Sequence, residues 1–168
     1  MEWTLGPYAW DEEDILEMIL RHRLMPVNPL EAAASCCAIR RSDQSVLLEG
    51  DEVVGKVFVN IQESRATGSI DLIPVPKYFR SVDDYREQLR GAMVGMLKDI
   101  FAQPGFRRLS AYVPDSRGRT KKALRAIGFK MEGKIRDGVH FRRSDSPEDL
   151  YVLGLTASDF DKEYGDVI

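Results

Sequence analysis

The stretch AIGFKMEGKIR, residues 126–136, contains the end of a helix, a turn and the start of a strand. Gly128 follows a helical pattern over 116–127, and glycine commonly ends helices because it adopts a left-handed backbone conformation without strain. Residues 129–142 and 150–156 have strand-like patterns on either side of a polar loop. This part of the chain therefore predicts a helix followed by two strands.

The remaining sequence continues this mixture of strands and helices. Residue periodicities predict strands at 3–10, 45–49, 53–62, 69–75 and 106–113, and helices at 11–25, 28–40 and 83–103. Turn residues at 50–51 and 67–68 predict an antiparallel meander for three of these strands. The order β-α-α-β-β-β-α-β-α-β-β predicts one α/β domain over residues 1–168, with a mostly antiparallel sheet of about seven strands flanked by helices.

Composition limits the class of protein. The chain has 168 residues, of which 43% are hydrophobic and 30% charged, as is usual for a globular domain and unlike a disordered one. No apolar run approaches the ~18 residues of a membrane-spanning helix, and the acidic N-terminal segment does not resemble a signal peptide. The cysteines, Cys36 and Cys37, are neighbours and are interpreted as small buried residues. We therefore expect a cytoplasmic protein without a membrane partner.

Charge is unevenly distributed. Residues 105–143 carry twelve Lys or Arg and three Asp or Glu, a local charge of +9, whereas the rest of the chain carries −12. A basic segment on an acidic protein indicates a localised anionic partner more than a general nucleic-acid surface. His22 and His140, the histidines of the chain, are too far apart in sequence to form a local metal motif. We expect no metal cofactor.

Two stretches carry a family resemblance. AIGFKMEGKIR (126–136) is similar to the pattern lGF-x-x-EG-x-x-R of the ribosomal-protein acetyltransferase branch of the GNAT superfamily of N-acetyltransferases, and EDLYVLGLTASDF (148–160) resembles the closing strand of that branch. The resemblance by sequence covers residues 105–160, and the N-terminal half agrees in element order alone. It implies a GNAT fold and acetyl transfer from acetyl-CoA, or another acyl-CoA, to an amine.

The resemblance also implies where the acyl-CoA lies. In GNAT proteins it occupies a V-shaped opening between the fourth and fifth strands, and the backbone of the fourth strand pairs with the pantetheine chain. Ile73 and Val75 occupy that strand here, and Arg80 and Ser81 occupy the loop after it. That loop normally wraps the pyrophosphate with backbone N–H groups at the N-terminus of a helix. These four residues are therefore candidate cofactor contacts.

The loop nevertheless departs from the family pattern [Q/R]-x-x-G-x-[G/A]. Arg80 takes the first position, but Asp83 and Tyr85 stand where glycines are expected. Side chains at those positions obstruct a close approach of backbone to phosphate, and an aspartate adds negative charge. Alternatively, Ser81 or Asp83 caps a helix and Tyr85 packs in the core. If CoA binds, side-chain cations such as Lys77 and Arg80 are expected to make more of the phosphate contact.

The helix predicted at 116–127 begins with SRGRTKK, which gives four cations near a helix N-terminus. Cations there oppose the helix dipole, but with the free N–H groups they make a good anion site. Arg117, Arg119 and Lys121 are therefore candidate cofactor contacts, and a solvated basic face is the alternative. The family usually has Asn at the position of Arg117 and a proton-donating Tyr at that of Leu124, and leucine cannot donate a proton.

Candidate catalytic residues are Asp71, Glu63 and Tyr112. Asp71 alternates with Ile70 and Leu72, so it is expected to lie on the opposite face of the sheet. Its ordinary pKa is about 4, so it would need burial to act as a base. Alternatively, Asp71 is an exposed carboxylate on the sheet, and Tyr112 is a packing residue.

Two functions follow as hypotheses. The first is an acyl-CoA-dependent N-acyltransferase, whose acceptor amine could belong to a peptide, a polyamine or a small molecule. The second is a catalytically silent GNAT-like binding module, for instance of a phage or mobile element, acting through residues 105–143 on an anionic partner or nucleic acid. A homodimer is compatible with either.

Overall fold

The computed structural model describes residues 2–7, 43–62, 66–141 and 145–165. The strands are β1 (Trp3–Pro7), β2 (Asp43–Glu49), β3 (Glu52–Gln62), β4 (Thr67–Pro74), β5 (Arg108–Pro114), β6 (Lys130–Val139) and β7 (Glu148–Thr156), and the helices are α1 (Val82–Phe101), α2 (Gly118–Ala126) and α3 (Ala157–Tyr164). The predicted helices at 11–25 and 28–40, with Cys36, Cys37 and His22, lie outside the described residues, as does Glu63.

The seven strands form one sheet in the order β1-β2-β3-β4-β5-β7-β6. Neighbouring strands are antiparallel except β4 and β5, which are parallel and are connected through α1. A parallel pair needs such a crossover because the chain must return to the same end of the sheet. The mixed, mostly antiparallel seven-stranded sheet expected from the sequence is confirmed.

Helix α1 packs on one face of this sheet through an apolar stripe. Its buried side chains are those of Tyr85, Leu89, Met93, Leu97 and Ile100. They join one core cluster with strand residues that point to the same face, including Val57, Val59, Ile70, Leu72 and Leu109. Each fully buried side chain of this size contributes about 1.5–3 kcal/mol, so the cluster fixes α1 against the sheet.

Helix α2 ends as the sequence predicts, at Gly128. This glycine has φ of 96°. Its N–H donates to the carbonyl of Arg125 at 3.2 Å, and the N–H of Phe129 donates to that of Leu124 at 3.1 Å. These two bonds satisfy carbonyls that the helix leaves free, and they turn the chain into β6.

Helix α3 was not predicted, since residues 157–160 were interpreted as a tail of the last strand. It begins with a capping box, in which Thr156 accepts a hydrogen bond from the N–H of Asp159 and the Asp159 carboxylate accepts one from the N–H of Thr156. Phe160 stacks on Phe101 with ring centroids 4.9 Å apart. The spacing of threonine and aspartate was the sequence signal for this helix.

Strand β6 forms one edge of the sheet, and its residues are exposed on both faces. Met131 and Ile135 are among its exposed side chains. Asp137, with φ of 50°, lies where the pairing with β7 shifts register. None of the helices among the described residues is long and apolar enough to cross a membrane.

Candidate functional site

Strands β4 and β5 separate after a short paired region. They pair over three residues, the last pair being Ser69 with Ser110. Beyond it, β4 continues to Pro74 and β5 to Pro114 without pairing with each other. The sheet therefore has an opening between its two parallel strands, at the end where both lead into helices.

A cleft of about 560 Å³ lies between these two strand-to-helix junctions. Four of the seven predicted cofactor contacts line it: Ile73, Arg80, Arg117 and Arg119. Phe79 and Tyr85 form part of its apolar wall, and Lys122 adds a cation that the sequence interpretation did not select. A second cleft of about 290 Å³ shares Val82 and Lys122 with the first and is further lined by Arg86, Arg125 and Ala126.

The β4–α1 junction is held by aromatic packing. Phe79 and Tyr85 have ring centroids 4.6 Å apart, and Trp3 of β1 packs against Phe79 at 5.1 Å. Burial raises the pKa of Tyr85. The alternative interpretation of Tyr85 as a core residue is thus supported, because its ring is 2% exposed.

Several polar groups at the β4–α1 junction already have hydrogen-bond or ion-pair partners. The N–H of Val75 donates to the carbonyl of Val54 at 2.9 Å, which continues the β3–β4 pairing. Lys77 forms an ion pair with Glu52 of β3, and this hydrogen bond raises the pKa of Lys77. Ser81 is the N-cap residue of α1, although its side chain makes no capping hydrogen bond. Among the cations of this loop, Arg80 is the one that lines the cleft.

The β5–α2 junction is held by charged groups. The N–H of Ser116 donates to the Glu148 carboxylate at 2.7 Å. Lys121 binds Asp115 at 2.7 Å, and its Nζ lies 3.8 Å from the centroid of the Tyr151 ring. Lys121 is therefore bound to a residue that lines the cleft, and the next residue, Lys122, lines the cleft itself.

Arg117 spans the opening between the strands. Its Nη1 and Nη2 donate to the two carboxylate oxygens of Asp71 at 3.1 Å each, and Nη2 also donates to the carbonyl of Leu72 at 3.3 Å. Thr120, which is 2% exposed, donates its hydroxyl to the same carbonyl at 3.0 Å. Because β3 pairs with the other edge of β4, this carbonyl faces the opening. Sequence reasoning had not selected Thr120, which is the fifth residue of SRGRTKK.

Asp71 and Tyr112 lie on the same face of the sheet, on opposite sides of the opening. Each stands two residues beyond the last paired residues, Ser69 and Ser110, and side chains two apart on a strand share a face. Ile70 and Leu72 point into the core on the helix-covered face, so Asp71 faces away from the helices, as predicted. The side chain of Asp71 is 36% exposed, and Tyr112 is 54% exposed.

The structure also shows where Leu124 and the two aspartates at the start of α1 lie. Leu124 is fully buried in the core, so no proton donor occupies the position of the family's tyrosine. Asp83 and Asp84 are exposed in the first turn of α1. No group of three or more His, Cys, Asp or Glu residues that could hold a metal ion occurs within the ranges described.

The basic segment 105–143 does not form one continuous free surface. Five of its cations are paired with carboxylates: Arg108 with Glu132, Arg117 with Asp71, Lys121 with Asp115, Lys130 with Asp159, and Lys134 with Asp149. By contrast, Arg119 and Lys122, like Arg80, form no ion pair within the part of the chain that the structure describes. The cleft is therefore lined by three cations that have no carboxylate partner among the described residues.

Comparison with known proteins rests on structure. No family model matches the sequence, and no curated protein matches it. Among solved structures, spermidine N-acetyltransferase from Vibrio cholerae in complex with CoA and spermine matches with 12% identity and a TM-score of 0.62, covering 95% of this chain and 98% of the other. RimJ from Mycobacterium smegmatis in complex with CoA-disulfide matches with 15% identity and a TM-score of 0.62, covering 98% and 88%.

A third similar structure belongs to the branch suggested by the sequence. It is the ribosomal-protein-S18-alanine N-acetyltransferase from Escherichia coli, with 13% identity and a TM-score of 0.57, covering 92% of this chain and 94% of the other. Each of these three likenesses covers more than nine tenths of this chain, which includes the seven-stranded sheet and its parallel pair. The chain therefore has the fold of the GNAT superfamily of N-acetyltransferases.

Proposed function

We propose that this protein is an acyl-CoA-dependent N-acyltransferase that transfers an acetyl group from acetyl-CoA to an amine. The observation that carries the proposal is the separation of β4 from β5 beside a cation-lined cleft at the start of α1 and α2. The fold and its structural neighbours, two of which are CoA complexes, support it. A reducing, cytoplasmic location belongs to the same proposal.

In this proposal, side chains bind the phosphates of the acyl-CoA. Arg80, Arg119 and Lys122 converge on the cleft from its two sides. Hydrogen bonds from such cations to phosphate are charge-assisted and are stronger than neutral ones. The cleft thus fits an anionic substrate, but it achieves this without the glycines that let backbone approach phosphate. The second cleft, with Arg86 and Arg125, extends the basic surface for further phosphate groups.

The transfer step needs a proton acceptor and a proton donor. The amine nitrogen attacks the thioester carbonyl carbon, the C–N bond forms, the C–S bond breaks, the nitrogen loses a proton and the departing thiolate gains one. Asp71 and Tyr112, on the two sides of the opening, are the proposed acceptor and donor; in this proposal Asp71 accepts the proton only after it has lost its bonds to Arg117 and the bound substrates cover it. Glu63 stays a candidate acceptor from the sequence alone.

A basic acceptor fits this chain best. The sequence outside 105–143 carries a net charge of −12, which attracts cations over distances of several ångströms. The similar structure of a spermidine N-acetyltransferase agrees with an amine of this kind. We therefore propose a polyamine or a basic peptide as the acceptor.

Calorimetry with acetyl-CoA tests the proposal first. We expect saturable binding, followed by release of free thiol when spermidine or a lysine-rich peptide is added. Desulfo-CoA is the matched control, since it should bind but release no thiol. If acetyl-CoA does not bind at millimolar concentration, the proposal is wrong.

A catalytically silent binding module is the second candidate, and specific observations favour it. Arg117 bridges the opening, Leu124 replaces the usual acid, and the loop after β4 lacks glycine. This candidate predicts binding of an anionic ligand in the cleft without thiol release from acetyl-CoA. Turnover with any amine would exclude it.

A further inference from the structure

Arg117 is bound where the two proposed substrates would meet. Its guanidinium lies between β4 and β5, on the carboxylate of Asp71 and the carbonyl of Leu72. The side chain of Arg117 is 14% exposed, whereas that of Asp71 is 36% exposed. A ligand can therefore approach the Asp71 carboxylate from the face of the sheet away from the helices. Arg117 contacts the same carboxylate through the opening between the strands.

The bond between Arg117 and Asp71 has the features of an exchangeable contact. Its two N–O distances are 3.1 Å, within hydrogen-bond range. Asp71 is 36% exposed, and ion pairs with a solvent-exposed partner contribute little to stability. Arg117 is the N-cap residue of α2, and its backbone is held by hydrogen bonds to Pro114 and Lys121, so an exchange of partner would move its side chain alone.

The same guanidinium borders the cation-lined cleft. Arg117 lines it together with Arg80, Arg119 and Lys122. A phosphate bound there would offer Arg117 a second anionic partner. A guanidinium forms charge-assisted hydrogen bonds with phosphate as it does with carboxylate, so a bound phosphate would compete with Asp71 for Arg117.

Leu72 gives a second reason for exchange. Its carbonyl accepts hydrogen bonds from both Arg117 and Thr120. A carbonyl oxygen has two lone pairs, so both are in use. A substrate group that binds the Leu72 carbonyl must first displace one of the two side chains, and Arg117, at 14% exposed, is more accessible than Thr120, at 2%.

We propose that Arg117 occupies, in the free protein, the site on Asp71 that receives a cationic acceptor amine, and that acyl-CoA draws Arg117 away to open this site. The inference rests on the proposed function and deepens it. It assigns Asp71 as the carboxylate that binds the ammonium form of the acceptor and then takes one proton from it, so that the neutral nitrogen can attack the thioester, and it makes acceptor binding depend on prior cosubstrate binding.

Simple ligands test the site on Asp71 without the natural acceptor. n-Butylamine, which is protonated at neutral pH, and n-butanol, its neutral control, are titrated into the full chain while amide signals of 69–73 are followed by NMR. Arg117→Gln should raise the affinity for n-butylamine about fivefold, the effect of removing a competing ion pair of about 1 kcal/mol. The affinity for n-butanol should not change, and Asp71→Asn added to Arg117→Gln should abolish the gain.

The coupling to cosubstrate is tested in the unmodified protein. CoA, which carries no acyl group to transfer, should raise the affinity for n-butylamine by a similar factor, and n-butylamine should raise the affinity for CoA equally, since binding linkage is reciprocal. Arg117→Lys keeps the charge but loses the two-pronged bond, so its gain in n-butylamine affinity should be intermediate. It provides a second variant should Arg117→Gln not fold.

The outcomes separate the two proposals. A folded Arg117→Gln variant without gain in n-butylamine affinity, or a gain that survives Asp71→Asn, overturns the assignment of Asp71. CoA binding without any effect on n-butylamine overturns the coupling. If CoA does not bind at all, the proposed function and the coupling both fail, whereas the n-butylamine titration still decides the role of Asp71.

Discussion

The two ends of the β4–β5 pair are closed in different ways. At one end, Thr67, Gly68 and Ser69 pair with β5 through backbone hydrogen bonds. At the other end, side chains bridge the strands, with Arg117 and Thr120 both bound to Leu72. Backbone pairing cannot be exchanged without unfolding part of the sheet, but a side-chain bridge can exchange its partner. We therefore expect a ligand to change the structure at the end that is bridged by side chains, and not at the end that is paired by backbone.

The largest expected effect is on acetyl-CoA affinity, at the end of the β4–β5 pair that side chains bridge. Truncation of Arg80 and Arg117 together should weaken acetyl-CoA binding at least about 100-fold, because each hydrogen bond to a charged group contributes about 1.5–3 kcal/mol. Calorimetry measures this directly. Lys98→Ala, in the last turn of α1 and far from the cleft, is the matched control and should leave the affinity unchanged. An unchanged affinity in the double variant would contradict phosphate binding by these side chains.

Among the variants that change stability, substitution of Tyr85 in the apolar wall of the cleft should have the largest effect. Tyr85 is 2% exposed and packs against Phe79, so Tyr85→Ala should lower the free energy of unfolding by about 3–5 kcal/mol through loss of buried area and a residual cavity. Urea denaturation followed by circular dichroism measures the change. Tyr85→Phe keeps the ring and should cost far less. Similar losses in both variants would show that the ring does not anchor the loop.

At the backbone-paired end, the strands leave no room for a side chain. A Cβ added at Gly68 would lie 2.9 Å from the Asn60 carbonyl oxygen and 3.2 Å from the Leu109 side chain. Because the first obstacle is backbone, Gly68→Ala should lower the free energy of unfolding by about 1–3 kcal/mol, as overpacking does. Gly91→Ala, at an exposed site of α1 with nothing within 4 Å, should not destabilise. Equal stability of both variants would mean that β3 and β5 leave room for a methyl group at Gly68.

A smaller effect is expected from Thr120. Thr120→Val keeps the shape but removes the hydroxyl that donates to Leu72, and a net loss of about 1 kcal/mol in unfolding free energy should follow. Thr120→Ser, which keeps the hydroxyl, serves as the comparison in the same denaturation experiment. A more stable Thr120→Val would indicate that the hydrogen bond contributes nothing there.

The smallest effect is a pH dependence away from the opening. Hydrogen bonds from Lys130 first and then Thr156 lower the pKa of Asp159 from 3.8 to about 2. Because this pKa is lowered by folding, the stabilisation is complete above the ordinary value and is lost as the pH falls through the folded-state value. The stability difference between the native chain and Asp159→Asn should therefore narrow between pH 4 and about pH 2. A constant difference across that range would rule out the shift.

Much of the fold could be predicted from the sequence because its signals are local. Gly128 ends α2 by a backbone conformation that the glycine itself makes accessible, and the periodicities along β3, β4 and α1 depend on near neighbours. Helix α3 was missed for a different reason. Its apolar residues, Phe160 and Tyr164, are few, so the capping pair Thr156 and Asp159 was the main signal.

The site was less predictable because its contacts are distant in sequence. Arg117 and Asp71 are 46 residues apart, and nothing near either residue indicates that the two would pair. The sequence SRGRTKK does not distinguish Lys121 from Lys122, since both belong to the same run of cations. Successive residues on a helix point about 100° apart, so the burial of Ala123 and Leu124 decides which lysine faces the cleft. Only tertiary packing sets that rotation.

The exposed edge formed by β6 has a consequence for association between molecules. An edge strand has unpaired N–H and C=O groups that can pair with a strand of another molecule. The exposed side chains of Met131 and Ile135 add apolar surface at this edge. Lys130 and Lys134 on the same strand, each paired with a carboxylate, oppose such pairing because another strand would bury their charges, and the register shift around Asp137 opposes it by bending the strand. These features should keep the protein from adding strands edge to edge, and replacing both lysines with valine should promote aggregation.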